Sequence, residues 1–474
     1  MYPDTFANII FNNFPYPPTE NQKRLIHELA AFLEVNDNSI YVVKGYAGTG
    51  KTTIVSALVK SLSAIHKKSL LLAPTGRAAK VLASYSGKPA FTIHKKIYRL
   101  MMQGDGSTNM VLAENKMTNT VVIVDEASMI PGNTSSPDMS MFSVRNLLED
   151  LMDYVNRGKS CRLVLIGDSA QLPPVGLDVS PALDIEYLKR IFHFPIKSYE
   201  LKEVVRQSLE SGILYNATEL RKNILLKGSK LLIRDSGFRD VIRINGEELE
   251  DALNDAFSSS ERENTVVITR SNKRANIFNR EIRNRILYME NEISSGDLMM
   301  TVKNNYFWLE KESSLGFIAN GDIIELMRIN KMEEMYGFRF ADVSIRFPDY
   351  PGEKDLEVKI LLDVLTEDGP SLPYKDYRRL FEEVMQDYEE IPLKRKRIEM
   401  VKNNPYFNAL QVKFSYALTC HKTQGGQWEN VFIDQGYLTE ERVNTEFFRW
   451  LYTAFTRATK KLYLINFHEW FFGK

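Results

Sequence analysis

The sequence predicts an α/β protein built on parallel sheets, in which a phosphate-loop unit is followed by a second α/β run carrying a small β insertion. Three observations carry this. Gly45-Tyr46-Ala47-Gly48-Thr49-Gly50-Lys51-Thr52 fits the phosphate-loop pattern G-x-x-x-x-G-K-[ST] at every specified position, between an apolar strand-length run at 39–44 and a helical one at 53–59. Apolar runs with polar ends recur at 69–73, 120–124, 162–166, 265–269 and 431–434, as buried parallel strands do. Between about 296 and 404 the chain changes to short extended pieces and turns, such as Asn320-Gly321-Asp322 and Pro348-Asp349-Tyr350-Pro351-Gly352, which suits a separate β unit.

Length and composition set the outer limits. At 474 residues the chain exceeds one ordinary core, and roughly two to four domains are expected. Hydrophobic residues at 44% and charged residues at 26% are ordinary for a globular protein, and no apolar run is long enough to span a bilayer. Met1-Tyr2-Pro3-Asp4-Thr5 lacks the pattern of a signal peptide, and Cys161 and Cys420 are too few for a disulfide framework, so a cytoplasmic protein without a membrane partner is expected. With 61 basic against 61 acidic side chains, any polyanion has to be held by a local groove.

Taken in order, Pro17-Pro18-Thr19 leads into a helical pattern at 23–33, with Thr19 as N-cap and Gln22 in the first turn, where a carboxamide can meet adenine or simply face solvent. In the phosphate loop, glycines let successive N–H groups face an anion. Lys51 reaches the outer phosphates, and the Thr52 hydroxyl holds Mg²⁺. The run 69–73 ends in Pro74-Thr75-Gly76-Arg77, a strand-to-helix turn of the kind that contacts ligands in open α/β sheets. Gly104-Asp105-Gly106-Ser107 separates two extended runs between 96 and 117, a hairpin or a surface loop. The apolar run 120–124 ends in Asp125 and Glu126, placed respectively to position Mg²⁺ and to polarise the attacking water.

After a helix at 142–155, the run 162–166 ends in Gly167-Asp168 and leads to Gln171, a candidate γ-phosphate sensor, followed by the stiff Leu172-Pro173-Pro174. Arg206 is a candidate cation for transition-state phosphate, or a surface arginine. The second α/β run begins at 264–272, continues as a helix over 273–287, and carries no second phosphate loop. A mixed-charge helical section covers 374–401, for which a solvated face is the expectation. The segment 414–425 reads as a strand, then the polar cluster Thr419-Cys420-His421-Lys422-Thr423, then a Gly turn. His421 and Lys422 are candidates for a phosphodiester, with a satisfied structural histidine the alternative for His421 alone, and Arg457, near the end of a helix at 448–458, is a candidate for the nucleotide.

These blocks together resemble the 5′-to-3′ subgroup of superfamily 1 helicases, closest to the RecD-like and Dda-like DNA helicases. The resemblance runs through residues 45–52, 73–80, Thr92-Ile93-His94, 125–128, 167–176, 204–207, 417–425 and 452–458. It implies two RecA-like domains with ATP between them: 1–208 with a pin hairpin at 95–118, then 209–295 plus 405–474, with an SH3-like insertion at 296–404. It gives the ATP site as Gln22, Gly45, Ala47, Gly48, Thr49, Gly50, Lys51, Thr52, Thr53, Arg206 and Arg457, with Thr52 and Asp125 on Mg²⁺. Lys51, Asp125, Glu126, Gln171, Arg206 and Arg457 would carry hydrolysis.

Pro74, Thr75, Arg77, Thr92, His94, Thr419, His421, Lys422 and Thr423 would line the DNA track. Where many relatives have a Ser and an acid after Gln424-Gly425, this chain has Gly426-Gln427-Trp428, which removes the acidic ribose contact. The implied activity is an ATP-dependent helicase moving 5′ to 3′ on single-stranded and forked DNA, as a monomeric bare motor with no nuclease or relaxase domain before residue 19. A translocase or RNA helicase on the same fold, and an ATP-controlled binding switch, are the other readings.

Overall fold

The computed structural model describes residues 3–35, 39–102, 108–132, 146–205, 211–226, 231–309 and 315–472. Two all-parallel sheets and a closed barrel organise them. The chain opens with α1 (Pro3–Asn12) and α2 (Glu20–Glu34), the latter started by a capping box in which the Thr19 side chain accepts from Gln22 N–H and Gln22 Oε1 accepts from Thr19 N–H. Then follow β1 (Ile40–Gly45), α3 (Lys51–Ser61), β2 (Lys68–Ala73), α4 (Gly76–Ser86), β3 (Ala90–Thr92) and α5 (Ile93–Ile97). A hairpin, β4 (Tyr98–Met102) with β5 (Thr108–Leu112), stands apart as a two-stranded sheet. Its tip, Gly104-Asp105-Gly106-Ser107, lies outside the described residues. The unit closes with β6 (Thr120–Val124), α6 (Leu147–Asn156), β7 (Arg162–Gly167), α7 (Ile185–Ile191) and β8 (Ile196–Leu201).

The first sheet runs β3-β2-β6-β7-β1-β8. Its central strands are apolar on both faces because helices cover both. Tyr41 and Val43 pack with α1–α3 through Phe6, Leu25, Phe32 and Leu58, while Ile40 and Val42 turn to α5–α7 through Ile97, Leu148 and Leu188. Adjacency of β6, β7 and β1 brings three strand ends side by side: Asp125-Glu126, Gly167-Asp168 and the phosphate loop.

The second unit contains α8 (Gly212–Leu226), β9 (Val241–Ile244), α9 (Leu249–Ser259), β10 (Thr265–Thr269) and α10 (Asn272–Glu281). The chain then leaves for the barrel of β11 (Leu298–Thr301), β12 (Ile323–Met335), β13 (Phe338–Arg346), β14 (Leu356–Leu361) and β15 (Leu410–Phe414), with α11 (Tyr374–Gln386) and α12 (Lys394–Lys402) between the last two. It returns for β16 (Ala417–Thr419), α13 (Cys420–Thr423), β17 (Trp428–Asp434), α14 (Thr445–Phe455) and β18 (Ala458–Ile465), in the sheet order β16-β10-β17-β18-β9.

The chain passes from the barrel to the second sheet later than 404/405: β15 closes the barrel by pairing with β11 and β14, and β16, starting at Ala417, joins the second sheet beside β10. A barrel needs its closing strand, and the apolar run alone does not say where the chain changes partners. The charged section at 374–401 is a pair of helices whose inner residues Leu380, Val384 and Val401 pack on Phe338, Phe340 and Leu361 of the barrel, leaving the charges outside.

A buried network holds the junction. Arg283 donates to both oxygens of Asp297 at 2.8 and 2.9 Å, and the Tyr416 hydroxyl donates to Asp297 while accepting from Leu298 N–H. Asp297→Ala leaves Arg283 buried without its counter-charge. We expect a loss of about 3–5 kcal/mol in denaturant unfolding of the domain. Asp355→Ala, which removes only the exposed partner of Arg346, is expected to leave the unfolding midpoint nearly unchanged.

Candidate active site

The phosphate loop takes its shape from glycines in the left-handed region, Gly48 at φ 75° and Gly50 at φ 83°, after which Lys51 begins α3. A Cβ on Gly50 would stand 2.3 Å from Gln22 Nε2, so this loop and the first turn of α2 are in direct contact. Gln22 is buried and its Nε2 donates to Thr49 O at 3.0 Å, which removes the solvent-facing alternative for this residue. The Lys51 ammonium is folded onto its own loop, donating to Gly45 O at 2.6 Å and Tyr46 O at 3.0 Å, with Asp168 Oδ2 at 3.9 Å. These are carbonyl contacts that an anion in the loop would replace.

Asp125 and Glu126 stand at the end of β6. Asp125 accepts from the Tyr85 hydroxyl at 2.6 Å and from Glu126 N–H at 2.9 Å. Glu126 has φ 53°, an unusual backbone for a non-glycine residue, held just past the end of β6. Burial raises its pKa above the usual carboxylate value. Arg457 and Lys51 pull it down, and Asp125 and Asp168 push it up. Among the described residues no three His, Cys, Asp or Glu side chains gather for a metal. The exposed Thr52 on the first turn of α3, with Asp125, makes the sparse oxygen set that suits Mg²⁺, an ion that keeps most of its waters and shares phosphate oxygens.

The second domain closes this site. Arg457 is buried, donates to Thr453 O and Gly426 O, and approaches Glu126 Oε1 at 3.9 Å. Tyr452, on α14, accepts from Ala47 N–H at 2.8 Å and donates to Asp168 Oδ2 at 2.6 Å. Leu172 N–H donates to Thr453 Oγ1 at 2.8 Å, and its carbonyl accepts from Gln424 Nε2 at 2.6 Å. Next to it, Gln171 is buried and its Oε1 has no hydrogen-bond partner among the described residues. Tyr46, Ala170 and Leu172 share an apolar cluster with Trp450, Leu451 and Phe455. Arg206 lies outside the described residues.

Tyr452, Asp168, Thr453 and Arg221, whose guanidinium lies 4.4 Å over the Tyr46 ring, were not singled out from the sequence. For Asp168 the signal was present, an acid ending an apolar strand beside the phosphate-loop strand. For Tyr452 and Arg221 only the fold brings them near.

Across the expected strand track, Thr75 and Thr92 serve as N-caps of α4 and α5, accepting from Ala78 and Lys95 N–H. Pro74 precedes them, half-buried. Arg77 lies between the domains: its guanidinium is 4.0 Å over the Trp428 ring and donates to Glu263 O and Gln427 O. Gly425, at φ 73°, lets the second domain touch α4, since a Cβ there would meet Ala78 Cβ at 2.6 Å. Thr423 is fully buried and bonds inward to Cys420 O. Lys422 and Thr419 line a small cavity with Lys413, Asn272 and Asn276, and burial lowers Lys422 to about 8, with Lys413 adding repulsion. Burial also lowers His421.

Residues 18–229 match the family model of an AAA domain, and residues 414–465 that of a UvrD-like helicase C-terminal domain. The chain is 26% identical to the ATP-dependent DNA helicase Dda of Enterobacteria phage T4, over 60% of each chain. It is 24% identical to the RecBCD enzyme subunit RecD of Buchnera aphidicola, over 98% of this chain and 75% of that one. A crystal structure of Pif1 helicase from Bacteroides in complex with ADP-AlF3 and ssDNA superposes with a TM-score of 0.47 at 15% identity, covering 95% of this chain and 93% of that one.

His94 gives a pH test of this site. Burial lowers its pKa from 6.5 to about 4, so the folded protein keeps the ring neutral where the unfolded chain protonates. The unfolded state therefore binds more protons between those values, and stability is lost as pH falls through that window, by at most about 3 kcal/mol. His94→Gln should flatten the fall in Tm between about pH 7 and pH 5; the same slope in both proteins would reject the burial argument.

Proposed function

We propose that the chain is a superfamily 1B helicase of the RecD and Dda type, an ATP-dependent DNA helicase that moves 5′ to 3′ on single strands and opens duplex ahead of it. One observation carries the mechanism. A single phosphate loop faces a second parallel-sheet domain that delivers Arg457 and Tyr452 to it, so the state of the site and the apposition of the domains are bound together. We assign residues 1–208 to the first motor domain, the second sheet to the second motor domain, and the barrel to an SH3-like insertion.

Within this reading Lys51 exchanges the carbonyls of Gly45 and Tyr46 for the outer phosphates. Thr52 and Asp125 would hold Mg²⁺, which would neutralise phosphate charge. Glu126 orients the attacking water and takes its proton, a task suited to a carboxylate whose pKa is raised by burial. Arg457, and Arg206 by the family pattern, stabilise charge developing on the γ-phosphate. Gln171 offers an unpartnered acceptor at the same site, and the next residue is held at both N–H and carbonyl by the second domain. That short path links hydrolysis to domain movement.

On the strand, Thr75, Thr92 and His94 of the first domain and Thr419, His421 and Lys422 of the second supply contacts to backbone rather than base edges, consistent with little sequence preference. A neutral His94 contributes a hydrogen bond and not a charge. The decisive experiment uses two duplexes, with a 5′ or a 3′ single-stranded tail, in Mg-ATP. Opening of the 5′-tailed duplex alone is expected, lost in Lys51→Ala. Glu126→Gln should lower DNA-stimulated turnover at least about 100-fold while retaining nucleotide. Opening of the 3′-tailed duplex alone would overturn the direction. ATP turnover that does not rise with strand length would favour a static clamp.

A further inference from the structure

The barrel presses two carboxylates into the first domain. Asp322, in the turn before β12, is 1% exposed; its Oδ2 lies 3.1 Å from Lys95 Nζ and accepts from Ala319 N–H at 2.8 Å. Its Oδ1 is buried without a hydrogen-bond partner among the described residues and stands 2.5 Å from where a Cβ on Gly76 would lie. Asp349, in the turn after β13, pairs through Oδ1 with Lys80 at 3.0 Å, and its Oδ2 is likewise buried without a partner. Between them the Tyr350 hydroxyl accepts from Lys95 at 3.3 Å and lies 2.9 Å from the same Gly76 position.

The first-domain side of this contact is built for an anion. Gly76 is the first residue of the 11-residue helix α4, capped by Thr75, and no side chain blocks the approach. Lys80 lies one turn further on the same face, and Lys95 sits on α5 with its ammonium buried. Gly76 lies between Thr75 and Arg77, with Lys80 following on α4, and Lys95 follows His94 on α5. Each carboxylate thus reaches the first domain with one oxygen paired and the other buried without a hydrogen-bond partner among the described residues, a costly arrangement.

We propose that Lys80, Lys95 and the Gly76 end of α4 form a subsite for a phosphodiester of the single strand, and that Asp322 and Asp349 of the barrel occupy it until a strand displaces them. The inference rests on the DNA-helicase reading. A carboxylate and a phosphodiester each carry one negative charge on two terminal oxygens, so they compete for the same donors. The barrel's hold then lowers the apparent affinity for DNA by the fraction of molecules in which the subsite is free, and loading a strand moves the barrel off the first domain.

The test measures binding of the full chain to a fluorescent oligo(dT) by anisotropy, without nucleotide. Asp322→Asn/Asp349→Asn keeps the shapes and removes both charges, and should tighten binding by roughly tenfold. Unchanged or weaker binding overturns the exchange. Lys80→Gln should flatten the log–log salt dependence by about 0.7, one phosphate contact; an unaltered slope removes Lys80 from the subsite. Should the aspartate variant fail to fold, the pair Gly76→Cys/Asp322→Cys answers the same question, since Cys161 and Cys420 are both buried. Oxidation of that pair should abolish binding and reduction restore it, and equal affinity in the two states rejects the proposal. If the wild-type chain binds no oligo(dT) at all, the helicase reading itself falls; if it binds and the variants do not differ from it, only the exchange does.

Discussion

The hydroxyl of Tyr452 is buried between an N–H of the phosphate loop and the carboxylate of Asp168, and the relation of the two domains depends on it. In so dry a place an unmade hydrogen bond is expensive, so the loop, the end of β7 and α14 hold one another in register. Burial raises the Tyr452 pKa well above the ordinary tyrosine value, which keeps the hydroxyl a donor to Asp168 at any physiological pH. Asp168 in turn faces Lys51, and the Lys51 ammonium rests on carbonyls it would surrender to phosphate. Charge arriving in the loop therefore acts first on groups already tied to the second domain.

Around this contact the polar links follow a consistent direction. Leu172 is gripped by Thr453 and Gln424, Arg449 donates to the carbonyls of Ser169 and Gln171, and Arg457 looks back at Glu126. Each link joins the segment that follows β6 or β7 to α14, the turn after it, or the turn after α13. A shared apolar cluster lies beneath them, so the cleft is lined with exchangeable polar contacts over a packed base. That combination suits a site that must open and close without losing its alignment.

The barrel is attached at a different place and by different forces. It enters and leaves through β11 and β15, which pair with each other, and the Arg283–Asp297–Tyr416 network locks that root to the helical turn after α10 and to the residue before β16 of the second sheet. Its other contact, through Asp322 and Asp349 to the first domain, is ionic and incompletely satisfied. One attachment is built to stay and the other can be exchanged.

The phosphate loop, the apolar strands and the acids that end them were legible in the sequence, because backbone handedness, burial period and strand ends are local properties. The capping Thr19 and the helical section at 374–401 were legible for the same reason. Three features were not: the division of 414–419 between barrel and sheet, the inward turn of Thr423, and the stacking of Arg77 on Trp428. Each depends on a partner far along the chain, which no local pattern encodes. The sequence by itself determined which groups can do phosphate chemistry; the tertiary structure alone decided that Tyr452 reaches the phosphate loop from the other domain, because that is set by how two sheets pack.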